Sequence, residues 1–64
     1  MTREKAQEAV DAAFAAHVGK IFSTLIANVV GKEADAAGNF SRGLAAADEA
    51  HSIASGIVER AFAE

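Results

Sequence analysis

The chain contains no cysteine, proline, tryptophan or tyrosine among its 64 residues. The lack of cysteine excludes a disulfide framework and a thiolate metal site. The lack of proline, together with 17 alanines and an apolar share of 52%, is typical of a nearly all-helical chain. A domain of this size buries only about 60% of the surface that its unfolded form exposes, so a monomer without a staple would be marginally stable.

Basic residues are few and dispersed. Six Lys and Arg stand against nine Asp and Glu, which gives a net charge of -3. A nucleic-acid interface needs a basic patch or stripe, so the composition disfavours a nucleic-acid partner. The N-terminus mixes both signs of charge and lacks the basic and then apolar order of a secretory signal, so we expect a cytoplasmic protein. The basic residues are Arg3, Lys5, Lys20, Lys32, Arg42 and Arg60.

A single apolar stripe predicts a first helix over about residues 3–30. Thr2 can cap its N-terminus, and Glu4 in the first turn complements the helix dipole. The stripe continues past Gly19, which costs a helix only about 1 kcal/mol, so we expect one helix rather than the alternative of a break there. The larger apolar residues recur at the helical period, and they are Val10, Phe14, Val18, Ile21, Phe22, Leu25 and Val29, with Ile26 and Val30 widening the face.

The segment IFSTLIANVV, residues 21–30, carries no charge and is bordered by Lys20 and, after Gly31, by Lys32. It could be a membrane segment, a buried strand or a helix face that meets a partner. The apolar stretch over 17–31 is shorter than the roughly 20 residues that a membrane crossing needs, and the helical stripe that runs through it argues against a strand. We therefore interpret it as a helix face that meets a partner.

A connection over about 31–39 and a second helix over about 40–63 complete the single domain, residues 1–64. Gly31 and Lys32 suit a helix C-terminus, and Asn39 or Ser41 could cap the second helix. Small residues at the centre of its seam would allow close helix packing, although alanine is also simply frequent in this chain. The seam alternates spacings of four and three residues and comprises Phe40, Leu44, Ala47, His51, Ala54, Val58 and Ala61.

These elements predict an all-α fold, an antiparallel two-helix hairpin. One Ala-lined helix cannot cover the apolar face of the first, and each large side chain left in water forgoes about 1.5–3 kcal/mol. We therefore expect a C2 homodimer that forms a four-helix bundle. The predicted interface residues are Phe14, Val18, Ile21, Phe22, Leu25, Ile26, Val29, Val30, Ala47, Ala54, Ile57, Val58 and Ala61.

This length and layout are similar in outline to the small dimeric helical-hairpin RNA-binding proteins of plasmid copy control. The resemblance includes no motif, so it assigns no role to any residue. It implies RNA binding as an alternative function. Those proteins contact RNA through a polar and basic helix face, whereas the back of helix 1 here offers Arg3, Lys20 and Thr24 among acids and alanines.

His17 and His51 are the strongest candidates for proton or metal chemistry. If the turn centres near residue 35, residue i faces about residue 70 minus i, and the two histidines become a candidate pH-sensitive pair. Asp48 and His51 have the i, i+3 spacing of helical metal ligands but point in different directions. Ordinary histidines at the edge of an apolar face are the other interpretation, and we predict no metal, cofactor or catalytic site.

The predicted function is a small non-enzymatic protein-interaction module, acting as a homodimer in the role of a regulator, adaptor or inhibitor. No serine has a neighbouring base and acid, which argues against nucleophilic catalysis. The alternatives are an RNA-binding hairpin dimer and a membrane-surface-active helical protein. The acidic residues predict a solvated face or, alternatively, a surface that binds a basic partner.

Overall fold

The computed structural model describes residues 1–63. Two α helices make up the fold: α1, Arg3–Val30, and α2, Ala36–Ala61. They pack against each other as a hairpin that measures 51 × 15 × 7 Å, which confirms the predicted all-α helical hairpin. Helix α1 continues through Gly19, as expected.

The two ends of α1 differ in how well the sequence predicts them. The Thr2 hydroxyl accepts a hydrogen bond from the Lys5 backbone N–H at 3.1 Å, as its expected capping role requires. At the other end Gly31 keeps a right-handed conformation, with φ -78°, and Lys32 takes the left-handed one, with φ 57°. The glycine is therefore not the residue that reverses the chain.

Helix α2 begins four residues earlier than residue 40. Its first turn follows Asp35, which is left-handed with φ 61° and makes no side-chain cap. Instead, the Asp35 carboxylate accepts a hydrogen bond from Arg42 at 2.9 Å. The expectation that Asn39 or Ser41 caps this helix is wrong, because both lie inside it and the Asn39 backbone N–H already donates to Asp35 O.

Small and medium-sized residues form the seam between the helices. The buried residues are Ala6, Ala47 and Val58. A Cβ added at Gly43 would lie only 3.7 Å from Ile21 Cδ1, so the two helices approach closely at this level. Close approach leaves little volume between the helices, and the seam is correspondingly thin.

The seam of α2 departs from the predicted one at both ends. Leu44 is 38% exposed, and Gly43 faces α1 in its place. Ala61 is exposed, whereas Phe62, just beyond the helix, is half-buried. The large ring of Phe62 covers more of the open end of the hairpin than the methyl group of Ala61 can.

The register of the hairpin also differs from the predicted one. Contacts join Arg3 to Glu59, Gln7 to Ser55 and Asp11 to His51. The rule of 70 minus i would place residue 19 opposite His51, so it is wrong by eight residues, about two helical turns. The earlier start of α2 contributes to this shift, because it moves the centre of the turn from residue 35 to residue 33.

Candidate interaction surface

Large apolar side chains lie on the outside of the hairpin. Among residues 1–63 no side chain is fully buried. The hairpin therefore has a seam but no core of its own. Besides Met1, the exposed large apolar residues are Phe22 at 52%, Ile26 at 49%, Val29 at 62%, Val30 at 76%, Leu44 at 38%, Ile53 at 56% and Ile57 at 51%.

The predicted interface residues fall into two groups. One group is buried or half-buried within the hairpin itself: Phe14, Val18, Ile21, Leu25, Ala47, Ala54 and Val58. The other group is exposed and free to meet another molecule: Phe22, Ile26, Val29, Val30, Ile57 and Ala61. Whether the second group meets a second subunit stays a prediction.

Four exposed residues form what we call the turn patch: Phe22, Ile26, Val29 and Leu44. The first three follow one another at i, i+4 and i+7 on α1, so they share a face. The Phe22 and Phe40 rings meet edge to face, with centroids 6.4 Å apart, and Leu44 lies one turn beyond Phe40. The turn patch thus spans both helices in the half of the hairpin nearest the turn.

Ile53 and Ile57 form a second apolar surface, the opposite patch. Leu44 and Ile53 are nine residues apart, which is about 180° around a helix, so the two patches lie on opposite sides of α2. The opposite patch belongs to a stripe along α2 that contains Ala46, Ala50, Ile53 and Ile57. This stripe borders an open cleft of about 280 Å³. The cleft is lined by Val10, Ala13, Phe14, His17, Ala47, Ala50, His51 and Ala54.

A polar cluster joins the helices in the open half of the hairpin. Asp11 Oδ1 lies 2.8 Å from His51 Nε2 and accepts a second hydrogen bond from Gln7 Nε2 at 2.9 Å. The same Gln7 amide donates to Ser55 Oγ at 3.0 Å. The Phe14 ring packs on the imidazole, with centroids 4.6 Å apart. These contacts hold the two helices at one register.

Hydrogen bonding lowers the pKa of Asp11 below its ordinary value. The bond from His51 has the largest effect, followed by the bond from Gln7. Desolvation opposes them, and the charge of His51 adds a smaller effect in the same direction as the hydrogen bonds. Because a carboxylate can only accept, His51 Nε2 must carry the proton of the shared bond.

Sequence reasoning missed this cluster. The rule of 70 minus i pairs Asp11 with residue 59 rather than with His51. The predicted seam of α2 does not include Ser55, yet Ser55 is half-buried against Gln7. A usable signal was present: Gln7 and Asp11 are spaced i, i+4 on α1, and His51 and Ser55 have the same spacing on α2. Two such polar pairs can interlock only at one register.

The candidate pair His17 and His51 is placed differently from the expectation. Both side chains line the open cleft, but the Nε2 of His51 is engaged with Asp11. The Ser55 hydroxyl is bonded to Gln7 rather than to the imidazole. Within residues 1–63, no three His, Asp or Glu side chains form a group that could hold a metal ion.

Helix α1 is long and apolar enough to cross a membrane, by length and composition alone. One 18-residue window reaches a mean hydropathy of 1.4 with at most two charged residues, and none of its residues is fully buried in the hairpin, although several are half-buried. Between Asp11 and Lys32 the sequence holds a single charged residue, Lys20. The apolar part of α1 is therefore longer than the stretch over 17–31 suggests. Helices that pack in the cores of soluble proteins pass the same test.

Within the part of the chain that the structure describes, three of the six basic side chains are paired with carboxylates. Arg3 lies 3.5 Å from Glu59 and Lys5 lies 3.9 Å from Glu8, and Arg42 binds Asp35. These pairs weaken the positive field that an RNA backbone would meet.

No protein-family model, curated protein or solved structure matches this chain.

Proposed function

We propose that the protein is a small interaction module that works as a homodimer of hairpins. The observation that carries the proposal is the exposed surface. The 6.6 kDa chain exposes 4759 Å², whereas a compact monomer of that mass exposes about 3,900 Å². The excess of about 900 Å² is close to the roughly 800 Å² that each partner covers in a stable protein interface.

The apolar side chains supply the driving force for this association. Most of them are already about half-covered in the hairpin, so burying the rest of each contributes roughly half of the 1.5–3 kcal/mol of a fully exposed side chain. Several buried together offset the loss of translational and rotational freedom on binding. A second hairpin provides the missing layer, as in a four-helix bundle. Since the lone hairpin has so little interior, folding and association are coupled.

The oligomeric state tests this proposal directly. We expect sedimentation equilibrium at micromolar concentration to give about 13 kDa, twice the 6.6 kDa of the chain. The midpoint of thermal unfolding should rise with protein concentration, because dilution favours the unfolded monomer. A fully helical species of 6.6 kDa, whose unfolding midpoint does not depend on concentration, would contradict the dimer.

The proposed dimer acts by contact with another protein, as a regulator, adaptor or inhibitor. Two observations support contact rather than chemistry as its mode of action. The exposed surface is rich in large apolar side chains. Within residues 1–63, His51 pairs with the Asp11 carboxylate and packs on the Phe14 ring rather than contacting a nucleophile.

A membrane-bound form is the second candidate, and the apolar window of α1 favours it. Flotation on liposomes of phosphatidylcholine and phosphatidylglycerol separates the two candidates. The interaction module should remain in the aqueous fraction as a dimer. Protein that floats with the liposomes and remains on them after a high-salt wash would favour membrane insertion, since a salt wash removes proteins held only by charge.

A further inference from the structure

We infer that the second copy docks on the turn patch, with the two hairpins antiparallel and overlapping only in their turn halves. This inference rests on the proposed dimer and names its surface and orientation. The distribution of exposed apolar residues supports it. Five of the seven exposed large residues other than Met1 lie in the turn half, Phe22, Ile26, Val29, Val30 and Leu44, and two lie in the opposite patch.

Charge limits how far the two copies overlap. Glu4 and Asp11 precede Phe22 by 18 and 11 residues, which are close to whole numbers of helical turns, so they lie on the same side of α1 as the turn patch. Asp48 follows Leu44 by one turn on α2. This side of the hairpin is therefore apolar near the turn and acidic towards the open end.

Three ways of pairing the copies have different costs. Parallel copies would place the acidic halves against each other, and like charges at an interface cost several kcal/mol. Antiparallel copies overlapping along their whole length would place Phe22 and Ile26 of one copy at the same level as Asp11 and Glu8 of the other. Antiparallel overlap of the turn halves alone buries apolar side chains against apolar side chains and leaves the acids in water.

The two-fold axis of this arrangement passes near Ile26. In a C2 interface the same patch is used by both copies, and a residue on the axis meets its own counterpart. Ile26 lies midway between Phe22 and Val29, the ends of the patch on α1. Each Ile26 side chain, 49% exposed in the single hairpin, then packs on the other.

Two matched substitutions test the surface. Ile26→Asp should weaken the dimer at least about 30-fold, the effect of removing one central interface residue. Ile53→Asp changes the same residue type at similar exposure, 56%, and should leave the dissociation constant within about threefold. If Ile53→Asp dissociates the dimer and Ile26→Asp does not, the surface is assigned wrongly although the dimer stands. A wild-type monomer would overturn both proposals.

Head-to-tail docking of the turn patch on the opposite patch would give a different result. Such contacts do not close on themselves, so they build open assemblies. Wild-type masses above that of the dimer, reduced by both Ile26→Asp and Ile53→Asp, would overturn the two-fold arrangement.

The orientation has its own test, which does not depend on a disruptive variant. Because the chain has no cysteine, Glu4→Cys introduces a single site for a nitroxide label. Residue 4 lies 22 residues from the axis, so antiparallel turn-half overlap predicts about 65 Å between the two labels. Parallel copies would bring the labels within about 30 Å, the width of a few helices. A short distance in a dimeric sample would overturn the proposed orientation.

Discussion

Asp11 Oδ1 lies 2.8 Å from His51 Nε2 and joins α1 to α2 in the open half of the hairpin. Asp11 is an exposed carboxylate, 56% accessible at its side chain, yet it accepts two hydrogen bonds. The pair therefore links the stability of the hairpin to the protonation state of one carboxyl group.

Acid should weaken the hairpin through this group. Bonds from His51 and Gln7 lower the pKa of Asp11 from 3.8, so the folded state binds fewer protons than the unfolded state near this pH. The stabilisation is present above the unfolded pKa and is lost as the pH falls through the lowered one. Thermal unfolding followed by circular dichroism should show the midpoint falling as the pH drops from about 5 to below the ordinary pKa of the group.

The variant Asp11→Asn isolates this effect from other carboxylates. It should be less stable than the wild type at neutral pH, because its amide is a weaker acceptor for His51. Its unfolding midpoint should fall less on acidification. An equal fall in both proteins would show that Asp11 does not contribute to the acid sensitivity.

The sequence predicts those parts of the fold that are set by neighbouring residues along the chain. The limits of α1 follow from Thr2 and the apolar stripe, and Gly19 is tolerated because one glycine costs a long helix little. The sequence predicts a connection that begins at residue 31 but places its end four residues too late, because Lys32 and Asp35 take left-handed conformations that are commoner at glycine and asparagine. Gly38 and Asn39, which look like a stop signal, are held inside α2.

The error in the turn carried over to the candidate site. With α2 placed too late, Asp11 and His51 were two turns apart, and their pairing could not be anticipated. The sequence pattern also does not show which residues of the apolar face are buried in the hairpin and which are exposed, because that depends on which residues α2 covers. The sequence places Ile26 and Val30 at the edge of the apolar face, but the rest of the exposed group becomes identifiable only once the register of the hairpin is known.

The two histidines should differ in their effect on stability. His51→Ala removes a ring contact with Phe14 and the bond to Asp11, and should lower the free energy of unfolding by about 1–2 kcal/mol. His17 is exposed, so His17→Ala should stay within about 0.5 kcal/mol of the wild type. Urea denaturation at equal protein concentration measures both. Equal losses would argue against a separate role for His51.

Gly19→Ala should stabilise the protein. An added Cβ would meet no atom within 4 Å, and alanine is favoured over glycine in a helix by about 1 kcal/mol. In a domain of this size that gain raises the midpoint of thermal unfolding by about 4–8 °C.

Gly38→Ala is the matched control for that substitution. Gly38 also lies inside a helix, but its added Cβ would collide with the Asp35 carboxylate and displace it from Arg42. Its gain should therefore be smaller or absent. A loss of stability in Gly19→Ala would instead indicate that the helix is covered at this position in the assembled protein.

Ala47→Leu should separate the two helices. Ala47 is 9% exposed and lies in the thin seam, so a leucine there can avoid α1 only by turning its three added carbon atoms out into the cleft that Ala47 lines. Overpacking of this kind costs about 1–3 kcal/mol, and urea denaturation should show it as a lower midpoint. Ala45→Leu adds the same atoms at an exposed position of the same helix and should change stability by no more than about 0.5 kcal/mol. If the two variants are equally stable, the helices are not held at close range by Ala47, and another residue must set their spacing.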